Sequence, residues 1–399
     1  MSFNDTSSGH FKSKLPNTGT TIFTVMTELA VKHSAINLSQ GAPDFSPDDY
    51  LLQRLQYHNQ NASHQYSAMA GDTSLLDATA ELIQRQYQRE LDPAAMITIT
   101  AGATEALFAA IHCCVHPGDE VIIFDPAYDS YAPAVELAGG RCRRISLSAP
   151  DFRIDLQRLS DSINRNTRLI IVNSPHNPSG ALIQHEDWQA LEQLVLAHGL
   201  WLISDEVYEF IAFDSERRSV HHYPALAERS FVISSFGKSL HITGWKVGYC
   251  VAPPALTQEF RKLHQFLTFT VIGAPQKAIA DMLKHRPEAL DELSNFYQAK
   301  RDRFREGLAD SGFKLLPCQG SYFQLCDYRE LTDPRNHMTD LEFCKLLTKH
   351  HGVAAIPLSP FYKFAPEGQS LIRFCFAKQD ATLDEATGKL RAIEKVKAL

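Results

Sequence analysis

The sequence predicts an α/β fold with a mostly parallel central sheet and a smaller α+β unit, on three observations. Short apolar runs alternate with longer amphipathic segments between residues 96 and 266. Several of those runs are apolar throughout, as in strands buried on both faces of a sheet. After Pro287 the texture changes to a long charged helix followed by short strands.

In chain order, Met96–Thr100, Glu120–Phe124, Arg141–Ser146, Arg168–Val172, Leu200–Ser204, Phe231–Ser234 and Gly248–Ala252 read as strands. Helix-length stretches separate several of them: Ala103–Val115, Tyr128–Ala138, His185–His198 and Leu256–Phe266. Beyond Pro287 come a helix over Leu290–Leu308, strands around Tyr322–Cys326 and Leu371–Phe376, a helix near Leu341–His350 and a C-terminal helix. The expected division is a large domain over 45–288 and a small domain of 1–44 with 289–399. No repeat, heptad run or low-complexity tract points to another architecture.

The composition excludes several function classes. With 44% hydrophobic and 21% charged residues in 399, the chain has ample material for a large core. The formal charge of -7 is spread out, and no run of five Lys or Arg occurs, so nucleic acid is not an expected partner. No apolar run is long enough to span a bilayer, and the N-terminal MSFNDTSSGHFKSKLP lacks the apolar centre of a secretory signal, so a cytoplasmic location is expected. The eight cysteines sit mostly in apolar segments, none in C-x-x-C spacing, and read as reduced thiols. His112, Cys113, Cys114 and His116 point different ways around a helix and cannot close a metal site, so no metal is expected.

In an open parallel sheet, ligands bind beyond the carboxyl ends of the strands. There AGATEAL places Gly102, Ala103 and Thr104 at a helix start, where small residues let backbone N–H groups approach an anion. Taken alone, the same residues are a plain turn and cap. NSPHNPSG supplies Asn173, His176 and Asn177 among prolines. WLIS runs into Asp205, Glu206 and Tyr208; a carboxylate after an apolar strand needs a cationic partner unless it begins a helix, which would put Tyr208 within one turn. SSFGKSLHITGWKVGYC then carries two cations, Lys238 and Lys246, in small or apolar company. A lysine in a poorly solvated pocket loses basicity and becomes a nucleophilic amine able to form a Schiff base. The second lysine suits a phosphate counter-charge.

Together these parts describe a site for pyridoxal 5'-phosphate (PLP). Lys238 takes the aldehyde; Gly102, Ala103, Thr104, Ser235 and Lys246 take the phosphate; Asp205 pairs with the ring nitrogen, which makes the ring an electron sink. Tyr208 and Asn177 bond the ring 3'-oxygen.

The ordered motifs LSQGAPDF, AGATEAL, DPAYDSY, NSPHNPSG, SDEVYE, SFGKSLHITGWKVGY and LIRFCF resemble those of fold-type I, class I/II aminotransferases, from about Ile36 to Leu390. Within that superfamily GWKVGY, AAIPLSPFY and IRFCFAK are most similar to the methionine aminotransferase and kynurenine aminotransferase/glutamine transaminase K group. The resemblance implies that Lys238 holds PLP and moves the α proton. It also implies that Tyr128 stacks on the cofactor ring, that Arg373 grips the substrate carboxylate with Gly41 and Asn177 nearby, and that Tyr66 reaches the phosphate of a neighbouring subunit, so the active site requires a homodimer. The chain departs from the wider pattern at Lys246, where arginine is common, at Ala42, where a bulky Phe is common, and at Ser179, where threonine is frequent.

Relatives acting on dicarboxylic acids place an extra cation in the region matching Leu267–Gly273, which here carries no charge. An unpartnered side-chain carboxylate is costly to bury, so aspartate is a poor expected donor. Phe23, Tyr66, Phe361 and Tyr362 suggest an apolar, aromatic pocket for methionine, glutamine, phenylalanine, tyrosine or kynurenine, with a 2-oxo acid as acceptor in a ping-pong cycle. A cysteine-conjugate β-lyase would use every cofactor residue equally. A PLP-binding sensor in a transcription regulator would need a DNA-binding domain, for which no room is expected before Ile36.

Overall fold

The computed structural model describes residues 12–61, 63–213, 216–333 and 338–394. Its largest sheet has seven strands in the order Ile97–Thr100, Gly248–Val251, Ser230–Ser235, Trp201–Asp205, Thr167–Asn173, Glu120–Asp125, Arg141–Ser146. Gly248–Val251 runs antiparallel to both of its neighbours; the other pairings are parallel. Each expected strand forms within about a residue of its expected ends.

Strand alternation builds a core on each face. Val121, Ile123, Leu169, Ile171, Ile203, Phe231 and Ile233 face one way and pack with Ala106, Ala109, Ala110 and Ile111 of the helix Gly102–Cys114. Ile122, Phe124, Ile170, Val172, Leu202 and Val232 face the other way, in one cluster with Trp188, Leu191 and Val195 of the helix His185–His198. Full burial of each large aliphatic side chain contributes about 1.5–3 kcal/mol. The three arginines of Arg141–Ser146 are tolerated because that strand is an edge, with alternate residues open to water.

A second sheet, antiparallel, orders Ile356–Pro357, Leu371–Cys375, Phe323–Asp327 and Lys314–Leu315. The N-terminal strand Ile36–Asn37 pairs in parallel with Val353–Ala354. The helix expected over Leu290–Leu308 is two, Glu288–Asp291 and Leu293–Gly307. The one expected near Leu341–His350 is Asp340–Leu346, opened by a Thr339–Glu342 capping box and continued by a wider turn that Gly352 ends at φ +67°. The helix expected from Tyr128 starts only at Tyr131; ahead of it Ala127 N–H donates to Phe361 O (2.8 Å). No helix among the described residues is long and apolar enough to cross a membrane.

Candidate active site

Four adjacent strands end at one edge of the large sheet in Asp125, Asn173, Asp205 and Ser235. Beyond that edge lies a cavity of about 270 Å³. Phe23, Gly41, Gly102, Ala103, Thr104, Tyr128, Asn177, Asp205, Tyr208, Ser235, Lys238, Lys246 and Arg373 all line it.

Lys238 enters because the strand stops at Ser235. The Ser235 hydroxyl accepts from Gly237 N–H (3.2 Å) and caps a single turn, Phe236–Ser239, that carries the lysine. Lys238 Nζ donates to Gly41 O at 3.3 Å. Burial pushes the amine down to about 8, with the Arg373 and Lys246 charges acting the same way. Part of the population is therefore neutral and nucleophilic near physiological pH. Gly41 can approach because it has no side chain: a Cβ there would fall 2.8 Å from Phe323 Cζ.

Asp205, 4% exposed, closes its strand and does not begin a helix; Glu206–Phe210 turn instead, with Glu206 N–H donating to Ile233 O (2.8 Å). Its Oδ2 accepts from Tyr131 Oη at 2.5 Å and its Oδ1 from Val207 N at 3.4 Å. Burial still pushes the carboxyl up to about 6, so a cationic group in the cavity would favour its charged form. Asn173 braces this corner: its Nδ2 donates to Asp205 O (2.8 Å) and its Oδ1 accepts from Asn177 N–H (2.8 Å). Tyr208 is buried with its ring edge-on to Tyr322 and Phe323.

At another wall the helix Gly102–Cys114 presents its N-terminus. Glu105 accepts from Ala101 N–H (2.9 Å), while the N–H groups of Ala103 and Thr104 lie in the first turn, beyond reach of any intrahelical carbonyl. A Cβ on Gly102, at φ +75°, would lie 3.2 Å from Lys246 Nζ. One on Gly248 would lie 2.9 Å from Ala103 N and 2.9 Å from Gly102 C. The two glycines thus leave a cradle of N–H groups, hydroxyls and a cation, suited to a phosphate.

Arg373, on the strand Leu371–Cys375, is 1% exposed. Nη1 donates to Asn177 Oδ1 (2.7 Å) and Nη2 to Ser39 O (2.9 Å), and the guanidinium lies over the Phe323 ring at 3.8 Å. Its Nε is buried with no protein partner. Phe23 stands 5.3 Å from the guanidinium and meets Phe361 edge-on at 5.8 Å.

Tyr66 is not in the cavity of its own chain. It is 82% exposed and packs edge-on against Phe269 at 5.3 Å, beside the uncharged stretch Leu267–Gly273, which exposes Leu267, Phe269 and Ile272. The sequence implies no role for Tyr131, Phe323 or Asn173, which the fold brings to the site. Asn173 was legible as an amide ending an apolar strand; Phe323 and Tyr131 look like ordinary core aromatics.

The residues fit PLP. They offer an amine of lowered basicity for the aldehyde, a buried carboxylate lacking a full counter-charge for the ring nitrogen, and a glycine-lined cradle for the phosphate. Fold and site together define a fold-type I PLP enzyme. The chain belongs to the class I and II aminotransferase family, whose model matches residues 33–390. Among similar proteins, the methionine aminotransferase of Escherichia coli is 49% identical over 383 residues, 96% of this chain and 98% of that protein. Human kynurenine–oxoglutarate transaminase 3 is 33% identical, with coverage of 92% and 86%. The crystal structure of YbdL from Escherichia coli, reported to identify a methionine aminotransferase function, superposes with a TM-score of 0.92 at 49% identity, covering 96% of this chain and 99% of that one. The protein is a PLP-dependent aminotransferase acting on amino acids and 2-oxo acids.

Proposed function

We propose that the amino donor carries a neutral, apolar or aromatic side chain of the methionine, glutamine, phenylalanine, tyrosine or kynurenine type, and that a 2-oxo acid accepts the amino group in a ping-pong cycle. The observation that carries this reading is the aromatic surround of Arg373: Phe23, Phe323 and Phe361 lie within 6 Å of its guanidinium. A second side-chain carboxylate would meet that apolar wall unpaired. The similarity to the Escherichia coli methionine aminotransferase and to the kynurenine transaminases favours the same class.

When bound, PLP supplies an electron sink for the charge left on the donor's α-carbon and carries the amino group between substrates. Lys238 would hold its aldehyde, Asp205 its ring nitrogen, Tyr128 its ring face, and Tyr208 and Asn177 its 3'-oxygen. Gly102, Ala103, Thr104, Ser235 and Lys246 would hold its phosphate. The Arg373 fork, oriented by Asn177 and Ser39, takes the donor carboxylate beside Gly41. In its free, neutral form Lys238 Nζ would accept the α proton and return it. The exposed Tyr66–Phe269 patch supports a homodimer in which Tyr66 completes the partner's phosphate site. The separate sheets support a large unit over 45–288 and a small unit of 1–44 with 289–399.

Single amino acids added to the PLP-loaded protein test the donor class. Methionine and phenylalanine convert the cofactor absorbance to that of its amine form, and aspartate does not; a response to aspartate alone overturns the reading.

A further inference from the structure

The geometry points to Asp125 and Asp340 as positioning residues for the donor side chain: they pin, from two different parts of the fold, the loop Leu358–Lys363 that carries Phe361. Neither carboxylate lines the cavity, so both act through the loop.

Asp340 opens the helix Asp340–Leu346 and is 2% exposed. Its Oδ2 accepts from Ser359 N (2.6 Å) and its Oδ1 from Ser359 Oγ (2.7 Å). Asp125 ends a strand of the large sheet and is equally buried. Its Oδ2 accepts from Lys363 N (3.0 Å) and its Oδ1 from Arg144 Nη1 (2.8 Å). Between these anchors, Phe361 O accepts from Ala127 N (2.8 Å), one residue before Tyr128. The preceding carbonyl, Pro126 O, is held by His176 Nε2 (3.0 Å), whose Nδ1 lies 2.6 Å from Ser179 Oγ.

An ionised carboxylate gives backbone N–H groups a short, strong acceptor, and its two oxygens serve two donors at once. Anchors four residues apart, with Pro360 between them, leave the loop little freedom. Phe361 consequently holds one position against Phe23, and both rings lie within 6 Å of the Arg373 guanidinium. Phe23 lines the cavity and Phe361 backs it, so the anchors act on a donor whose carboxylate is on Arg373 through Phe23, setting the fit of large side chains and leaving small ones indifferent.

This inference rests on the donor reading above, and the experiment separates the two. KM and kcat are measured with phenylalanine, methionine and alanine for Asp125→Ala, Asp125→Asn, Ser359→Ala and Phe361→Ala, together with amide hydrogen exchange of the donor-free protein. Asp125→Ala raises KM for phenylalanine and methionine about tenfold, changes kcat and the alanine KM less than about twofold, and exposes the Lys363 amide to exchange. Asp125→Asn keeps an oxygen for that amide and recovers most of the affinity. Ser359→Ala, which removes one of the two bonds to Asp340, raises the same KM values about threefold. If Asp125→Ala does not fold, Asp125→Asn and Ser359→Ala carry the test. Selectivity altered by Phe361→Ala but by neither anchor variant overturns the anchoring role and leaves the donor reading intact. Selectivity unmoved by Phe361→Ala overturns the inference, since the ring held by the anchors would not set the fit, while the donor reading still stands or falls on the response to methionine, phenylalanine and aspartate. A fall in kcat shared by all donors, alanine included, reduces the anchors to general stability and also overturns the inference.

Discussion

Replacing Asp205 by asparagine is expected to move the cofactor-free protein and the loaded enzyme in opposite directions. The carboxyl is buried and pushed up to about 6, against an ordinary value near 3.9. At neutral pH the empty protein therefore holds this charge at a cost of about 3 kcal/mol. Asparagine keeps an oxygen for the Tyr131 hydroxyl, and the raised value already includes that bond's preference for the charged form. The gain of about 3 kcal/mol raises Tm by roughly 4 °C, given about 2.1 cal/mol/K of unfolding entropy per residue. A carboxyl raised in the folded state contributes its stability fully below the unfolded value and loses it as pH climbs through about 6. The two apoproteins thus melt nearly alike at about pH 4 and diverge above pH 6. Turnover goes the other way: without a charge opposite the ring nitrogen it falls by about 10²–10³. Thermal melts of dialysed apoprotein, paired with steady-state transamination by the loaded form, read both effects. An apo variant melting several degrees lower near neutral pH, or a loaded variant at wild-type rate, would refute the reasoning.

Arg373→Lys keeps the charge but loses the fork held by Asn177 and Ser39 and the stacking on Phe323; donor KM should rise about 100-fold or more, measured by steady-state kinetics. Gly248→Ala drives a Cβ to 2.9 Å from Ala103 N, which should displace the phosphate cradle and weaken PLP binding at least about tenfold, read by fluorescence titration of apoprotein. The rate at which apoprotein captures PLP should climb with pH through about 8, because only the neutral Lys238 amine attacks; stopped-flow absorbance across pH gives the profile. For Lys238 the stability linkage has the opposite sign to that of Asp205: the depressed amine makes the empty fold more stable as pH rises from about 8 towards 10.5.

Residues that violate their local pattern were the legible ones. Lys238 is a cation on the turn that follows an apolar strand, Arg373 a cation in the middle of one, and Asp205 a carboxylate after WLIS; each is costly where it stands unless chemistry requires it. The large sheet was legible because its strands are apolar throughout and its crossovers are helix-length. Phe323 and Tyr131 obey the core pattern, so nothing in the sequence separates them from packing residues; only the 3.8 Å contact with Arg373 and the 2.5 Å bond to Asp205 do. The bond from Ala127 N–H to Phe361 O, just ahead of the helix at Tyr131, joins residues more than 200 apart, which no local window contains. Tyr66 lies outside the cavity of its own chain, so the role proposed for it requires a second chain.

Reduction of the PLP-loaded protein with borohydride, followed by peptide mapping, bears most directly on the central claim that Lys238 is the amine joined to the cofactor. The account predicts the cofactor mass on the peptide containing Lys238, with Lys246 unmodified. Label on Lys246, or on neither lysine, would contradict it.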